Sequence, residues 1–345
     1  MTAASRALLP LIAAAAAGCA AAPPRAPSPA AWPAQSPFVV RPFSPIADGR
    51  WIGNGICYGP HRDGQSPEGA SPSREQLRED LLLLAPRWRL LRMYNPDAPA
   101  ENVLALVRAE NLPIKVVLGA WIAPETKGPG GEALPAARAA NRAQVENAVR
   151  LAEAYPGVVV ALDVGNETQI SWSDHRVPAA LLIEYLREAR ARSTVPVTTA
   201  DDFGYWVTPE SRALAQEIDF LDVHAYAMWA GRPLEDALAF TRAKLAEVAQ
   251  AHPDRALVLG EFGWATKRHS EGEQAKLIKG AAGEDEQRAF YLQAMEWTTR
   301  ERVPNFWFEA FDENWKGGPH PDEVEKHWGL FRADRTPKKG MAGRE

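Results

Sequence analysis

Short apolar runs alternate with amphipathic stretches along the chain, from about residue 51 to residue 311. Eight of these runs predict strands, because buried parallel strands are apolar on both faces and do not alternate. The segment from Val158 to Leu162, five apolar residues in a row, is typical of that pattern. The predicted strands are Trp51–Tyr58, Leu90–Tyr94, Ile114–Leu118, Val158–Val164, Val197–Thr199, Phe220–His224, Leu257–Gly260 and Asn305–Phe311.

The stretches between the strands carry apolar residues at helical spacing. Leu182, Leu186 and Ala189 in one such stretch are an example. The predicted helices include Arg74–Leu84, Ala100–Glu110, Val145–Tyr155, Ala179–Arg192, Leu234–Ala251 and Glu286–Arg302. Eight strand–helix steps in about 290 residues predict an α/β fold, a (β/α)8 TIM barrel that forms a single catalytic domain.

A doubly wound sheet is the competing arrangement, and it requires a glycine-rich turn that opens directly onto a helix. Gly53 and Gly55 are followed instead by a long polar loop that reaches Ser73. The glycine-rich stretch at residues 127–131 lacks the Lys-Ser/Thr pair of a phosphate-binding loop. Both observations favour the barrel.

The first residues resemble an export signal. Arg6 precedes an apolar run from Ala7 to Ala17, which is too short to span a bilayer. The run ends at Cys19 in a sequence that resembles a bacterial lipoprotein cleavage box, although an ordinary secretory signal remains the alternative. We therefore expect a lipoprotein-type signal at residues 1–19, lipidation at Cys19, a Pro/Ala-rich linker at 20–40 and the barrel at 41–345.

The composition of the chain limits the kinds of molecule that it is expected to bind. The formal net charge is -5 and no basic block appears, so we expect no nucleic-acid binding. The lipid would be the protein's only membrane contact, at the outer membrane, in the periplasm or on the cell surface, and we expect a monomer. Cys57 lies in an apolar stretch and is expected to be a buried, inert thiol. No Cys/His spacing resembles a metal site, so we expect neither a metal nor a cofactor.

Two glutamates end predicted strands, where a barrel of this kind builds its active site. Glu167 follows the fourth strand, and Glu261 closes the seventh. A pair of carboxyl groups facing one cleft is what glycoside hydrolysis requires, one as an acid and one as an ionised partner. Asn166 beside Glu167 adds an amide that can hydrogen-bond a sugar 2-hydroxyl.

Six segments resemble glycoside hydrolase family 17, the β-1,3-glucanase family. Two of them surround the glutamates, as Gly165-Asn166-Glu167 and as the run from Gly260 to Trp264. The other four lie at residues 55–59, 91–94, 311–316 and 325–331. The resemblance therefore covers residues 51 to 331, in order, and includes the motifs of both catalytic residues.

The resemblance implies a retaining double displacement on a β-glucan, with Glu261 as nucleophile and Glu167 as acid/base. It also implies carboxyl groups about 5–5.5 Å apart. The auxiliary charged residues of the family carry over onto Glu313, Lys316 and Glu325. His224 is expected either to face the cleft or to be a buried structural histidine, and Asp201 and Asp202 either to reach substrate hydroxyls or to cap the following segment. Further aromatic residues are expected to contact the sugar or the nucleophile, with core packing as the alternative: Tyr58, Tyr94, Tyr226, Trp264, Trp121, Trp229 and Trp315.

The chain departs from the well-known plant members of that family around the nucleophile, where Gly260, Phe262 and Ala265 replace two serines and a proline. Several functions therefore stay open. A hydrolase and a transglycosylase would use the same catalytic pair. A non-catalytic glucan-binding lipoprotein would need neither glutamate, and a metal-dependent hydrolase would need a ligand cluster.

Overall fold

Eight parallel strands close into a barrel in the order in which they occur along the chain. The computed structural model describes residues 32–128 and 130–342, so the predicted signal, Cys19 and the first part of the predicted linker lie outside the described residues. A short antiparallel hairpin of β1 (Ile46–Ala47) and β2 (Arg50–Trp51) precedes the barrel. The barrel strands are β3 (Asn54–Cys57), β4 (Leu90–Met93), β5 (Lys115–Ala120), β6 (Val159–Asn166), β7 (Val197–Asp202), β8 (Phe220–His224), β9 (Ala256–Phe262) and β10 (Asn305–Trp307).

The helices cover the outside of the barrel. In the described part of the chain they are α1 (Arg74–Leu84), α2 (Ala98–Ala109), α3 (Pro135–Ala154), α4 (Ala179–Arg192), α5 (Phe203–Trp206), α6 (Ser211–Ala215), α7 (Leu234–Ala251), α8 (Gly272–Leu277) and α9 (Glu284–Glu301), with a 3₁₀ turn at Val324–Lys326. Ser73 and Gln76 form a reciprocal capping box that starts α1. None of the described helices is both long enough and apolar enough to cross a membrane.

The predicted (β/α)8 barrel is confirmed, and all eight predicted strands overlap the observed ones. The hairpin, α5, α6 and α8 were not predicted. Each of these elements has two to six residues, too few to show a period in the sequence.

Large aromatic side chains fill much of the space between strands and helices. Five tryptophans are among the largest fully buried side chains, namely Trp88, Trp206, Trp264, Trp307 and Trp328. Cys57 is a buried free thiol, as expected, and burial raises its pKa. Much of the high tryptophan content therefore contributes to packing.

Residues 35–43 lie against the N-terminal ends of β7 and β8, the end of the barrel opposite the strand ends that carry the glutamates. The guanidinium of Arg41 donates to the carbonyls of Ser193 and Val195 at 2.7 and 3.0 Å. Phe43 stacks on Phe220 with ring centroids 4.9 Å apart. Arg190 Nη2 donates to Gln35 Oε1 and to Val39 O, both at 2.9 Å, so the last residues of the predicted 20–40 linker also contact the barrel domain, which composition did not predict.

Candidate active site

Glu261 lies at the C-terminal end of β9, the seventh barrel strand, and its side chain is 6% exposed. Its Oε1 accepts hydrogen bonds from Arg92 Nη1 at 2.5 Å and from the Tyr94 hydroxyl at 2.8 Å. Its Oε2 accepts one from the Tyr226 hydroxyl at 2.6 Å. Both tyrosines therefore reach Glu261 as expected, and three donors hold its carboxylate in one orientation.

The charges around Glu261 keep it ionised. Burial by itself would raise the pKa of Glu261, but the positive charges of His224 and Arg92 outweigh it and lower this pKa to about 2. For His224 the effects have the opposite sign. Burial lowers its pKa, but the negative charges of Glu261 and Glu167 outweigh burial and raise the pKa to about 9. At neutral pH a cationic imidazole therefore lies 3.6 Å from Glu261, measured from Nδ1 to Oε2.

Glu167 follows β6, the fourth barrel strand, with a backbone φ of +50°. That left-handed conformation is uncommon for a residue with a side chain, and such residues cluster at active sites. Gly165 reaches a φ of +85°, and a Cβ there would lie 2.8 Å from Leu182 Cδ1. Only glycine fits at this position, just before the carboxyl group.

Glu167 and Glu261 both face His224. Glu167 Oε1 lies 2.9 Å from His224 Nδ1, and one oxygen of each glutamate lies within 4.8 Å of the other and of the ring nitrogen. The carboxyl groups of retaining glycosidases are about 5–5.5 Å apart, and those of inverting enzymes about 6.5–9.5 Å. An oxygen-to-oxygen distance within 4.8 Å favours a retaining pair over an inverting one.

These three residues also form the metal-ligand cluster found among the described residues. Glu261 and Glu167 raise the pKa of His224 to about 9, which favours the protonated imidazole over the neutral form that binds metals. Glu261 already accepts three hydrogen bonds. The chemistry of the donor set therefore fits proton transfer better than metal binding.

Arg92 and Asp163 form a buried ion pair close to the glutamates, and sequence reasoning assigned neither to the site. Arg92 Nη2 lies 2.8 Å from Asp163 Oδ2, and both side chains are at most 3% exposed. The same nitrogen donates to Asn166 Oδ1 at 2.8 Å, which fixes the amide of a predicted sugar-binding residue. The available signal was an arginine within the apolar strand Leu90–Met93.

The glycine before the nucleophile has a steric reason. A Cβ at Gly260 would lie 1.4 Å from Asp222 Oδ1, so no serine fits here. Asp222 is fully buried, and burial raises its pKa to about 7. The departure from the plant pattern thus makes room for another buried carboxyl group.

The predicted residues Glu313 and Lys316 come together with Glu309, which sequence reasoning missed. Lys316 Nζ lies 2.8 Å from one oxygen of each glutamate. Burial raises the pKa of Glu309 well above its ordinary value. Burial also acts on Glu313, but the charge of Lys316 prevails and lowers its pKa. Of the two carboxyl groups, Glu309 therefore keeps its proton more readily. The only sequence signal for Glu309 was a charged residue just after a strand.

Glu325 and Trp229, which were both expected near the cleft, contact each other. Glu325 Oε1 accepts a hydrogen bond from Trp229 Nε1 at 3.2 Å. Burial raises the pKa of Glu325 to about 7, against the opposing charge of Lys316 and with a further contribution from Glu167. Glu325 thus titrates near neutral pH within electrostatic reach of the catalytic pair.

The structure corrects two predicted sugar contacts. Trp264 is fully buried, its Nε1 donates to Ala281 O at 2.9 Å, and its ring packs on Phe290, so it offers no face for stacking. Tyr58 is 1% exposed and donates its hydroxyl to Asp80 at 3.0 Å. Both aromatic side chains belong to the core.

The two aspartates at the end of β7, Asp201 and Asp202, accept hydrogen bonds from backbone N–H groups. Asp202 accepts the Gly204 N–H at 2.7 Å and caps α5, and Asp201 accepts the Gln169 N–H at 2.8 Å. Capping of the following segment, one of the two expected roles, is thus observed for Asp202. Asp201 thereby supports the loop that follows Glu167.

The remaining aromatic candidates differ in exposure. Trp121 is half-buried against His175, with ring centroids 4.7 Å apart. Trp315 is 41% exposed. Trp172, which sequence reasoning did not select, is 61% exposed in the loop after Glu167. Only its position five residues after the strand-end glutamate could have indicated it.

The closed barrel and the two strand-end glutamates define the class of protein, a glycoside hydrolase built on a (β/α)8 barrel. Residues 55–329 match the family model of the BtgE/BtgC glycoside hydrolase domain, and the chain belongs to that family. This membership agrees with the resemblance found in the sequence.

Known proteins of similar sequence and structure include a glucan 1,3-beta-glucosidase of Arthroderma benhamiae. It is 27% identical over 289 residues, which cover 79% of this chain and 86% of that protein. A probable glucan endo-1,3-beta-glucosidase, btgC, of Aspergillus clavatus is 26% identical over 78% of this chain but only 39% of its own length. The crystal structure of an endo-laminarinase from Formosa Hel1_33_131 aligns with a TM-score of 0.73 and 26% identity, covering 84% of this chain and 87% of that one.

Proposed function

We propose that the protein is a retaining glycoside hydrolase that acts on β-1,3-glucan. The observation that carries this proposal is the pair Glu167 and Glu261, with oxygens within 4.8 Å of one another. Their surroundings differ, since three donors hold Glu261 as an anion while Glu167 contacts His224 and is more exposed, at 15%. The substrate follows from the relatives, whose names describe glucan 1,3-beta-glucosidases and a laminarinase.

In the first step Glu261 Oε2 or Oε1 attacks the anomeric carbon, and the bond to the leaving oxygen breaks. Glu167 gives its proton to that oxygen, so a neutral sugar leaves and an ester links the glycosyl group to Glu261. The low pKa of Glu261, about 2, keeps the nucleophile ionised throughout the working range. Asn166, with its Oδ1 held by Arg92, directs its NH2 group to a sugar hydroxyl.

In the second step Glu167 takes a proton from the incoming hydroxyl, which attacks the same carbon and releases Glu261. Water as the incoming molecule gives hydrolysis, and a sugar gives transglycosylation. His224 lies 2.9 Å from Glu167 and supplies a positive charge whenever Glu167 is ionised. Glu313, Lys316 and Glu325 provide the polar groups beside the sugar.

Products from defined laminari-oligosaccharides test this proposal. We expect shorter chains from hydrolysis, with longer chains appearing as the substrate concentration rises if transfer competes. The Glu167→Gln variant should lose at least about a hundredfold in turnover of these substrates, because the leaving sugar then receives no proton. The measurement is chromatography of timed samples, with melting curves to show that the variant is folded.

The same assay separates the other candidate functions. A non-catalytic glucan-binding protein would leave every oligosaccharide intact while still retaining it on a glucan column. A metal-dependent hydrolase would lose activity with a chelator and regain it with a metal. Either result would contradict the proposed mechanism.

We also propose that the protein is exported as a monomer and anchored through a lipid on Cys19. This proposal is supported by the sequence up to Cys19, an apolar run followed by a sequence that resembles a lipoprotein cleavage box. We expect a clickable fatty acid supplied to expressing bacteria to label the wild type but not Cys19→Ser. Equal labelling of the two proteins would exclude this anchor.

A further inference from the structure

Trp172 has a larger exposed fraction, 61%, than any other large apolar side chain in the described part of the chain. It lies in the loop that joins Glu167 to α4, at the end of the barrel where the catalytic pair lies. An aromatic ring kept in water at this place makes no contribution to the core. An exposed tryptophan in the loop that follows Glu167 offers a flat apolar face on which a sugar could stack.

The loop that carries Trp172 is held in place by hydrogen bonds at both ends. The Val177 N–H donates to Thr168 O at 3.1 Å and closes the base of the loop. His175 Nε2 lies 2.8 Å from Asn166 O, while the His175 ring packs on Trp121. The ring of Trp172 therefore projects from an ordered support rather than from a free tail.

The strand order places a second exposed tryptophan on the other side of the barrel. Trp315 follows β10, is 41% exposed, and donates its Nε1–H to Glu313 at 3.0 Å. In the closed order of eight strands, β6 and β10 are four steps apart in either direction and so lie opposite one another. Glu261, on β9, is beside the Trp315 side, and Glu167 is on the Trp172 side.

The positions of the two glutamates define the direction in which a bound glucan chain lies across the barrel. In the proposed mechanism Glu167 protonates the leaving oxygen, so the leaving sugar, and later the acceptor, occupies the space on the Glu167 side. We propose that Trp172 is the stacking platform for that sugar and thereby sets how much glycosyl group is transferred to a sugar instead of to water. The proposal rests on the proposed function.

Transfer to a sugar bound at Trp172 follows the second step of the proposed mechanism. The acceptor hydroxyl loses its proton to Glu167, its oxygen forms the new bond to the anomeric carbon, and the ester bond to Glu261 breaks. Stacking on Trp172 raises the local concentration of acceptor without taking part in bond making. The tryptophan is therefore a specificity-determining residue.

The test compares the ratio of transfer to hydrolysis products from laminaritetraose in the wild type, Trp172→Ala and Trp172→Phe. We expect the ratio to fall roughly tenfold in Trp172→Ala and to be largely kept in Trp172→Phe, which retains an aromatic face. The release of nitrophenol from a nitrophenyl laminaribioside, whose leaving group is no sugar, should fall much less. Trp32→Ala removes an exposed tryptophan far along the chain from the site and should leave both readouts unchanged.

The outcomes separate the platform from the proposed function. A wild type that acts on no β-1,3-glucan would overturn the proposed function and the platform with it. An active wild type with the same product ratio in Trp172→Ala would overturn the platform alone. So would a wild type that forms no longer chains at any acceptor concentration. Melting curves of all variants exclude an effect through unfolding.

Discussion

Glu261→Ala should lower turnover of laminari-oligosaccharides by about 10⁴- to 10⁶-fold, the loss expected when a covalent nucleophile is removed. The carboxylate accepts hydrogen bonds from Arg92, Tyr94 and Tyr226, and no other oxygen can take its place without rebuilding that contact set. The measurement is kcat for the wild type and the variant. Glu153→Ala, on the exposed face of α3, is the matched control and should keep full activity.

Added azide assigns the roles of the two glutamates separately. With a nitrophenyl donor, azide can enter the space left in Glu261→Ala and attack from the nucleophile's side, giving a glycosyl azide of inverted configuration. In Glu167→Ala the ester still forms on Glu261, and azide then attacks it to give the retained configuration. The reverse pattern would exchange the two roles, and full activity without Glu261 would remove it from the mechanism.

Glu261→Ala also removes one anionic partner of each of the buried cations Arg92 and His224, which lowers stability as well as activity. Glu261→Gln is the companion variant, because its amide oxygen can still accept from Arg92 and Tyr94 while its NH2 group donates to the Tyr226 hydroxyl. A folded Glu261→Gln with the same loss of turnover separates chemistry from unfolding.

The strands were predictable because burial on both faces leaves a local record in the sequence. The ends of those strands then placed Glu167 and Glu261 at one end of the barrel without any knowledge of the loops. The same motifs gave a wrong prediction for an aromatic residue that follows a strand end. Trp264 comes three residues after Glu261, and nothing local distinguishes a ring that packs on Phe290 from one that faces a cleft.

The partners of the buried charged residues could not be predicted from the sequence either. Arg92 is 169 residues away from Glu261 along the chain, so the sequence shows a lone arginine in a strand but not its partners. Glu309 could be read only as another strand-end acid until the structure placed Lys316 beside it. Sequence patterns report burial locally, whereas ion pairs depend on which strands become neighbours.

Arg92→Met tests how much of the site depends on that one buried cation. Its guanidinium contacts Asp163 and Glu261 and is 1% exposed. Removing one partner of a buried ion pair leaves the other charge without compensation, and we expect a loss of about 3–5 kcal/mol in the free energy of unfolding. Urea denaturation measures this loss. Arg78→Met, which breaks a solvent-exposed ion pair with Glu110, should cost less than about 1 kcal/mol.

The pH dependence of the same variant reports on Glu261. Arg92 and His224 keep the pKa of Glu261 near 2, so the nucleophile's ionised form, and the stability that it contributes, is lost only as the pH falls through that value. Without Arg92 the pKa of Glu261 rises, and the acidic limb of the kcat/KM profile should move to higher pH. Arg92→Lys keeps the charge and should show a smaller movement.

A double variant separates the two roles of Arg92. Arg92→Met combined with Asp163→Leu removes both members of the ion pair, which should restore much of the lost stability because no unpaired charge remains between them. The acidic limb should stay displaced, because Glu261 still lacks its cation. The free energy of unfolding and the acidic limb of the kcat/KM profile could instead both return to their wild-type values. The shift of the limb in Arg92→Met would then result from loosened packing, and Arg92 would not lower the pKa of Glu261 through its charge.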